Sequence, residues 1–123
     1  MLYEELTGEI LGAAIEVHRV LGPGLLESAY EQCLAHELEM RDISFERQVP
    51  IKIQYKGIEI DQGYRADLIV DKKIVVELKS FDAFAPVHEA QILTYLKLAN
   101  KKVGLLINFN VTVLKDGIKR YVR

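Results

Sequence analysis

Asp67, Glu77 and Lys79 are the residues of this chain whose types and spacing best suit hydrolytic chemistry. They lie on two segments, 64–70 and 74–79, in which apolar residues alternate with others, and this pattern predicts a β-hairpin. With a three-residue loop, Asp67 lies directly opposite Glu77, with Cβ atoms roughly 5 Å apart. Two opposed carboxylates repel each other, whereas a divalent cation between them would bind to their oxygens. Because Lys79 would point its ammonium into the same spot, the pattern indicates a metal-dependent hydrolytic site.

The apolar face of this hairpin determines which residues lie opposite the site. Alternation places six apolar side chains on one face: Ala66, Leu68, Val70, Ile74, Val76 and Leu78. Burial of that face fixes the register in steps of two residues, which leaves the three charged residues together on the other face. A solvated strand face is the alternative interpretation, and a Glu-x-Lys pair alone would favour it. Because Asp67 lies in compatible register on the neighbouring strand, the hydrolytic site is favoured over the solvated face.

The composition is that of an ordinary globular protein. Half of the 123 residues are apolar and 28% are charged, which suits one domain over residues 1–123. No apolar run approaches the roughly 20 residues needed to cross a bilayer, and the acidic N-terminus lacks the basic region of a signal peptide. Cys33, the single cysteine, lies among apolar positions of a predicted helix, where a buried thiol is expected. We therefore expect a cytoplasmic protein that does not engage a membrane.

The formal net charge of −2 does not by itself indicate a nucleic-acid-binding protein. The charge is unevenly distributed, however, because residues 1–62 are net acidic and residues 63–123, which contain the candidate site, are net basic. Phosphate affinity depends on local rather than total charge. An accidental asymmetry on a solvated surface is the alternative interpretation, and both stay open.

Three helices are expected, over roughly residues 3–21, 25–40 and 86–99, because apolar residues recur there at helical spacing. The first helix ends at the Gly-Pro-Gly sequence of residues 22–24, and Pro86 suits the first turn of the third.

The remaining elements are predicted as strands, and Pro50 suggests that the first of them begins at a sheet edge. Besides the two strands of the central hairpin, strands are predicted at 51–55, 58–60, 102–108, 111–114 and 118–122. With the paired segments 111–114 and 118–122 counted as one unit, the predicted order is α-α-β-β-β-β-α-β-β, which indicates an α/β fold.

Polar residues on two of the predicted helices are further site candidates. His88, Gln91 and Tyr95 follow one another at spacings of three and four, which places them in one stripe on the third helix. Gln91 would suit a water or a phosphate oxygen, and the alternatives are a solvated Gln91, a packing role for Tyr95 and a helix-start role for His88. Glu27 lies in the first turn of the second helix, where the helix dipole favours a carboxylate without any functional role.

Other catalytic classes find little support in the sequence. It has no Cys/His metal spacing, no glycine-rich phosphate loop and no Gly-x-Ser-x-Gly turn.

A longer motif adds a family resemblance. Residues 24–30, with Gly24, Glu27 and Tyr30 at its named positions, resemble the signature of the bacterial and archaeal GxxExxY proteins, and similarity extends over nearly the whole chain. That family is grouped with the PD-(D/E)xK nuclease-like, or restriction-endonuclease-like, superfamily. The resemblance implies a core in which helices flank a mixed β-sheet.

The resemblance also implies roles for individual residues. Asp67 and Glu77 match the metal-binding carboxylates of the superfamily pattern, and Lys79 matches its catalytic lysine. Glu27 matches a helix-borne glutamate that often joins the metal shell, and Gln91 matches a polar residue of the later helix. The chain departs from the pattern at position 66, where alanine replaces the proline of the name motif; that proline is often absent.

Two functions are compatible with these observations. The first is a nuclease that hydrolyses DNA or RNA with Mg²⁺ or Mn²⁺. In it Asp67, Glu77 and Glu27 hold the metal, and Lys79 orients the nucleophile or stabilises the charge that develops on the phosphate. Gln91 and Tyr95 position water or the substrate backbone. The second is a non-catalytic nucleic-acid-binding or protein-interaction module that retains the nuclease fold. We further expect a homodimer, with a monomer recruited by a protein partner as the alternative.

Overall fold

The computed structural model describes residues 1–123, which form a mixed β-sheet with helices packed on both faces. The helices are α1 (Glu4–Leu21), α2 (Glu27–Met40) and α3 (Pro86–Ala99). The strands are β1 (Phe45–Pro50), β2 (Ile53–Tyr55), β3 (Ile58–Ile60), β4 (Arg65–Val70), β5 (Ile74–Lys79), β6 (Val103–Asn108) and β7 (Ile118–Val122). None of the three helices combines the length and the hydropathy that a membrane span requires.

The main sheet has the strand order β1-β4-β5-β6-β7, and β2 and β3 form a separate hairpin. β5 and β6 are parallel, whereas the other neighbours in the sheet are antiparallel. A parallel pair needs a long crossover connection, and α3 supplies it. Gly104 on β6 allows α3 to come close, because a Cβ there would lie 3.0 Å from Ile92 Cδ1.

The central hairpin has the predicted register. Leu68 pairs with Val76, Ile69 with Val75 and Val70 with Ile74. The loop between them contains three residues, of which Asp71 and Lys72 have positive φ angles of 50° and 56°. Such angles are those of a type I′ turn, which matches the twist of a two-stranded ribbon.

Two hydrophobic clusters hold the sheet between its helices. The larger cluster packs α1 and α2 against one face of the sheet and contains Leu68, Val76 and Leu78, as the alternation predicts. The smaller packs α3 against the other face and contains Ile69 and Val75. Ala66 differs from the prediction, because it belongs to the smaller cluster rather than packing with Leu68. Both faces of the central strands are therefore buried.

The structure differs from the predicted strand order at two places. The first is β1, an additional strand at the edge of the sheet, which Pro50 ends rather than begins. Its side chains are mostly exposed and do not alternate, so the segment carries no strand pattern.

The second difference is the segment 111–114, which is not a strand and leads into a short 3₁₀ helix, Leu114–Gly117. Val111 and Leu114 both pack on the core at a spacing of three residues, which suits a turn rather than an extended strand. Gly117 is required there, because a Cβ would collide with the carbonyl oxygen of Asn108.

Candidate active site

The hydrogen-bond ladder between β4 and β5 ends where the two candidate carboxylates begin. Leu68 and Val76 are the last pair in register. Beyond them, the backbone N–H of Asp67 donates to Glu77 Oε1 at 3.2 Å, and the N–H of Leu78 donates to Asp67 Oδ2 at 2.8 Å. Each carboxylate thus takes the place of a backbone carbonyl from the opposite strand, and both are held by main-chain atoms at the point where the strands separate.

Burial changes the protonation of this pair. Glu77 is only 3% exposed, and burial together with the negative charge of Asp67 raises its pKa to about 9. Burial also raises the pKa of Asp67, although the N–H of Leu78 partly offsets this effect. Two carboxylates that contact each other, one of them buried, do not both ionise readily at neutral pH without a compensating cation. In the absence of a metal, the pair therefore holds a proton.

Lys79 ends β5 beside these two residues. Its charge lowers the pKa of both Asp67 and Glu77, so the ammonium lies within electrostatic range of the two carboxylates. None of the ion pairs of the protein includes Lys79. The side chain is half-buried, and its charge remains available to an anionic ligand.

β6 fixes the connection that follows Lys79. The N–H of Phe109 donates to the carbonyl oxygen of Lys79 at 2.9 Å. The side chain of Asn108, which is buried, forms hydrogen bonds with both the N–H and the carbonyl oxygen of Phe81, at 3.1 and 2.9 Å. Sequence analysis missed Asn108, because an amide at the end of an apolar strand gives no local sign of its partner.

Glu27 reaches the same end of the sheet from α2. Its Oε2 accepts a hydrogen bond from the N–H of Ser80 at 3.3 Å, next to Lys79. Glu27 and Asp67 both line an open cavity of about 490 Å³. Glu27 is thus directed towards the strand ends, and the helix dipole alone does not account for that direction.

Tyr30 explains how the loop before Glu27 is held. Its hydroxyl donates to the carbonyl oxygen of Gly22 at 2.6 Å and accepts from the N–H of Leu25 at 3.1 Å. The ring is fully buried and stacks on Phe109, with centroids 4.3 Å apart and planes within 8°. Gly24 adopts a φ of 101°, which only glycine adopts readily. The glycine and the tyrosine of the motif therefore shape the loop that leads to Glu27.

Glu31 is a buried acidic residue of this cavity that sequence analysis missed. It lies one helical turn after Glu27 and lines the same cavity as Asp67. Arg47 donates to Glu31 Oε2 through Nε and Nη2, at 3.0 and 2.9 Å, and Gln48 Nε2 donates to Oε1 at 2.6 Å. In the sequence, only the spacing of four between Glu27 and Glu31 on one helix pointed to this residue. Its partners lie on β1, which was not predicted.

Gln48 connects Glu31 to Asp67. The same Nε2 that donates to Glu31 lies 3.4 Å from Asp67 Oδ1. Gln48 has a φ of 51°, which is uncommon for a residue with a side chain, and the β1–β4 ladder is interrupted at this position. The unusual backbone turns the carboxamide into the space between the two acids.

Gln91 and Tyr95 lie together on α3, as their spacing predicts. Gln91 Nε2 donates to the Tyr95 hydroxyl at 3.3 Å. Tyr95 is 6% exposed, and burial followed by the charge of Glu77 raises its pKa. Tyr95 thus lies within electrostatic range of Glu77. His88, in contrast, accepts the N–H of Ala85 at 2.9 Å, which is the helix-start role expected for it.

The candidate residues suit a divalent cation by their chemistry. No group of three or more His, Cys, Asp or Glu side chains is already gathered as a metal site. Asp67 and Glu77 nevertheless offer adjacent carboxylate oxygens, which are the ligands that Mg²⁺ and Mn²⁺ prefer. A cation between them would take the place of the shared proton and remove their repulsion, so the donor set fits.

The comparison with protein families agrees with this fold. A family model described as the PD-(D/E)XK nuclease superfamily matches residues 4–121. The match covers nearly the whole chain, so the chain belongs to this superfamily. No curated protein and no solved structure matches it. The predicted fold class, a mixed β-sheet flanked by helices with a nuclease-like core, is confirmed.

Proposed function

We propose that this protein hydrolyses phosphodiester bonds of DNA or RNA with the help of Mg²⁺ or Mn²⁺. The observation that carries the proposal is the Asp67–Glu77 pair at the separation of β4 and β5, in which Glu77 is buried and Asp67 lines an open cavity, with the charge of Lys79 beside it. A structural role does not explain two adjacent carboxylates with raised pKa values, because such a pair destabilises the fold. A cation-binding role explains why they lie together.

In this proposal Asp67 and Glu77 hold the metal, and Glu27 contributes from the first turn of α2. When bound, the metal would polarise a phosphate oxygen and lower the pKa of a bound water. The backbone N–H groups of Asp67 and Leu78 keep the two carboxylates in place. Ligands held in this way need little reorganisation when the cation binds.

Lys79 would stabilise the negative charge that develops on the phosphate, because its ammonium has no partner among the acids of the protein. Gln91 and Tyr95 would position the attacking water or the substrate backbone through their remaining hydrogen-bonding groups. The superfamily supports nucleic acid as the substrate class. The match to the GxxExxY motif at Gly24, Glu27 and Tyr30 further supports membership of that subgroup.

The decisive experiment is cleavage of labelled single- and double-stranded DNA and RNA, with Mg²⁺, with Mn²⁺ and with a chelator. We expect cleavage that requires metal and that Lys79→Ala lowers by about 10²–10³-fold, as for other groups that stabilise a transition state. Lys73→Ala is the matched control, because Lys73 lies at the other end of the same hairpin and pairs with Asp71 at 3.2 Å. Equal activity of the two variants would contradict the role of Lys79.

Absence of cleavage on all four substrates would contradict the enzymatic proposal. Binding of labelled nucleic acid by the same inactive protein would then support the non-catalytic module.

We also propose that the domain acts as a two-fold homodimer in the cytoplasm. β7 forms one edge of the sheet, and its outer side has no strand partner within the chain. Arg120 and Lys119 on this strand are engaged elsewhere, with the carbonyl oxygen of Leu2 at 2.7 Å and with Glu89 at 3.7 Å. Light scattering tests the dimer: a mass of 14.0 kDa at micromolar concentration, with and without nucleic acid, would indicate a monomer and contradict the dimer. A monomer recruited by a protein partner is the alternative.

A further inference from the structure

A second open cavity, of about 520 Å³, lies between α3 and the segments that carry β2 and the start of β4. The side chains around it include Ile53, Tyr64, Val87, Gln91, Thr94 and Tyr95. Most of these side chains are apolar or aromatic, and a few polar groups lie among them. The volume is within the range of about 300–1,000 Å³ that sites for small organic ligands occupy.

Two tyrosine rings define one wall of this cavity. Tyr64 is 45% exposed, and Tyr95 packs against it edge to face, with centroids 6.4 Å apart and planes inclined by 61°. Tyr95 is buried and therefore holds the ring of Tyr64 in place while leaving it open to solvent. A supported, half-exposed aromatic ring is a suitable platform for stacking a nucleobase.

Polar groups of the cavity suit the edge of a base. Gln91 uses Nε2 for its hydrogen bond to Tyr95, and this bond leaves the carbonyl oxygen and one N–H of the carboxamide free. One acceptor and one donor on the same planar group can match the adjacent acceptor and donor of a base edge.

A cation lies next to the stacking ring. Arg65 Nη1 donates to the carbonyl oxygen of Tyr64 at 3.2 Å, and it lies 3.9 Å from Asp61 Oδ1, which is at the outer limit of an ion pair. The guanidinium is exposed, and its remaining N–H groups are available to an anionic ligand. A phosphate attached to a nucleotide bound on Tyr64 would find a positive charge there.

Tyr95 links the cavity to the candidate active site, because it lines the cavity and packs in the same buried cluster as Ala66, the residue before Asp67. The ring of Tyr95 lines the cavity, and its hydroxyl lies close enough to Glu77 and Asp67 for their charges to raise its pKa. A strand whose backbone lies at the carboxylate pair would thus bring a neighbouring base to the cavity.

We infer that this cavity binds one unpaired nucleobase, stacked on Tyr64 and hydrogen-bonded to Gln91, next to the phosphate that is cleaved. The inference rests on the proposed function and narrows its substrate class to single-stranded or locally unpaired nucleic acid. A base within an intact duplex would first have to leave its stack, which disfavours duplex substrates.

The test measures binding rather than cleavage, so that it does not depend on activity. Fluorescence anisotropy with a chelator present compares a labelled five-nucleotide DNA strand with an abasic strand of the same length. We expect the wild-type protein to bind the strand with bases about tenfold more tightly, which is the size of one base–aromatic stack. Tyr64→Ala should lose this advantage, and Tyr64→Phe should keep it.

Tyr55→Ala is the matched control, because Tyr55 is a similarly exposed tyrosine that does not line the cavity. Equal binding of the two strands by the wild-type protein, or unchanged binding by Tyr64→Ala, would overturn the inference. Cleavage that persists alongside either result would leave the proposed nuclease intact. A protein that cleaves nothing but shows the Tyr64-dependent preference would instead retain the base site and lose the proposed activity.

Discussion

The carboxylate of Glu77 accepts the backbone N–H of Asp67, while the carboxylate of Asp67 accepts the N–H of Leu78 on the strand of Glu77. This reciprocal arrangement holds the two carboxylates together at the point where β4 and β5 separate. It aligns the oxygens for a cation, and it makes the metal-free protein sensitive to pH. The pH dependence of stability and the binding of metal can therefore be measured without a substrate.

The first prediction concerns the stability of the metal-free protein between pH 5 and 9. The pKa of Glu77 is about 9 in the folded state, against 4.5 for a glutamate side chain free in water. The folded state thus keeps a proton that the unfolded state has lost. The free energy of unfolding should fall as pH rises through this window, by at most about 1.4 kcal/mol per pH unit from this group. Urea unfolding at several pH values, with a chelator present, measures the slope.

Glu77→Gln should flatten this dependence, because the neutral amide keeps an oxygen for the N–H of Asp67 and cannot ionise. Asp71→Asn is the control, since Asp71 is an exposed hairpin residue with a positive φ that asparagine tolerates. The same slope in wild-type protein and in Glu77→Gln would show that Glu77 is not the group that titrates.

The second prediction concerns metal binding. Mg²⁺ or Mn²⁺ should raise the melting temperature of the wild-type protein, because the cation binds the folded site and relieves the repulsion between Asp67 and Glu77. At about a hundred times the dissociation constant the gain is about 2.7 kcal/mol. Asp67→Asn should lose the rise, whereas Asp71→Asn should keep it. An equal rise in both variants would place the metal elsewhere.

The third prediction concerns Tyr30. Tyr30→Phe keeps the stack on Phe109 but removes the hydroxyl that donates to Gly22 and accepts from Leu25. We expect a loss of about 1–3 kcal/mol, because the partly buried carbonyl oxygen of Gly22 loses its donor. Chemical denaturation measures this loss.

Hydrogen exchange should also show faster opening of residues 22–26 in Tyr30→Phe, since the lost hydroxyl joins the two ends of that loop. Tyr55→Phe, at an exposed tyrosine, should change neither quantity. A variant as stable as the wild type would mean that the motif tyrosine acts through its ring alone.

The alternation of apolar residues predicted the central hairpin but not β1, which contributes Gln48 to the cavity beside Asp67. Alternation of apolar residues carries register information, so the pairing of Leu68 with Val76 and the position of Asp67 near Glu77 followed from the sequence. β1 gave no such signal, because it is an exposed edge strand with a positive φ at Gln48.

Glu31 was missed for the same reason, since both of its partners, Arg47 and Gln48, lie on β1. Ala66 was assigned to the wrong face of the sheet for a different reason. Alternation assigns a side chain to a face only while the strands stay paired, and β4 separates from β5 just beyond Leu68.

The last prediction concerns Glu31, whose charge is buried and bound by Arg47 and Gln48. Glu31→Gln should lower the free energy of unfolding by about 1–3 kcal/mol, because hydrogen bonds to a charged group are the stronger ones and the guanidinium would lose its counter-charge. Glu37→Gln is the matched control on the same helix, where the exposed pair with Arg41 at 3.4 Å is worth less than about 1 kcal/mol. Equal effects of the two substitutions in urea unfolding would mean that Arg47 and Gln48 find other partners, and that Glu31 does not hold the wall of the cavity beside Asp67.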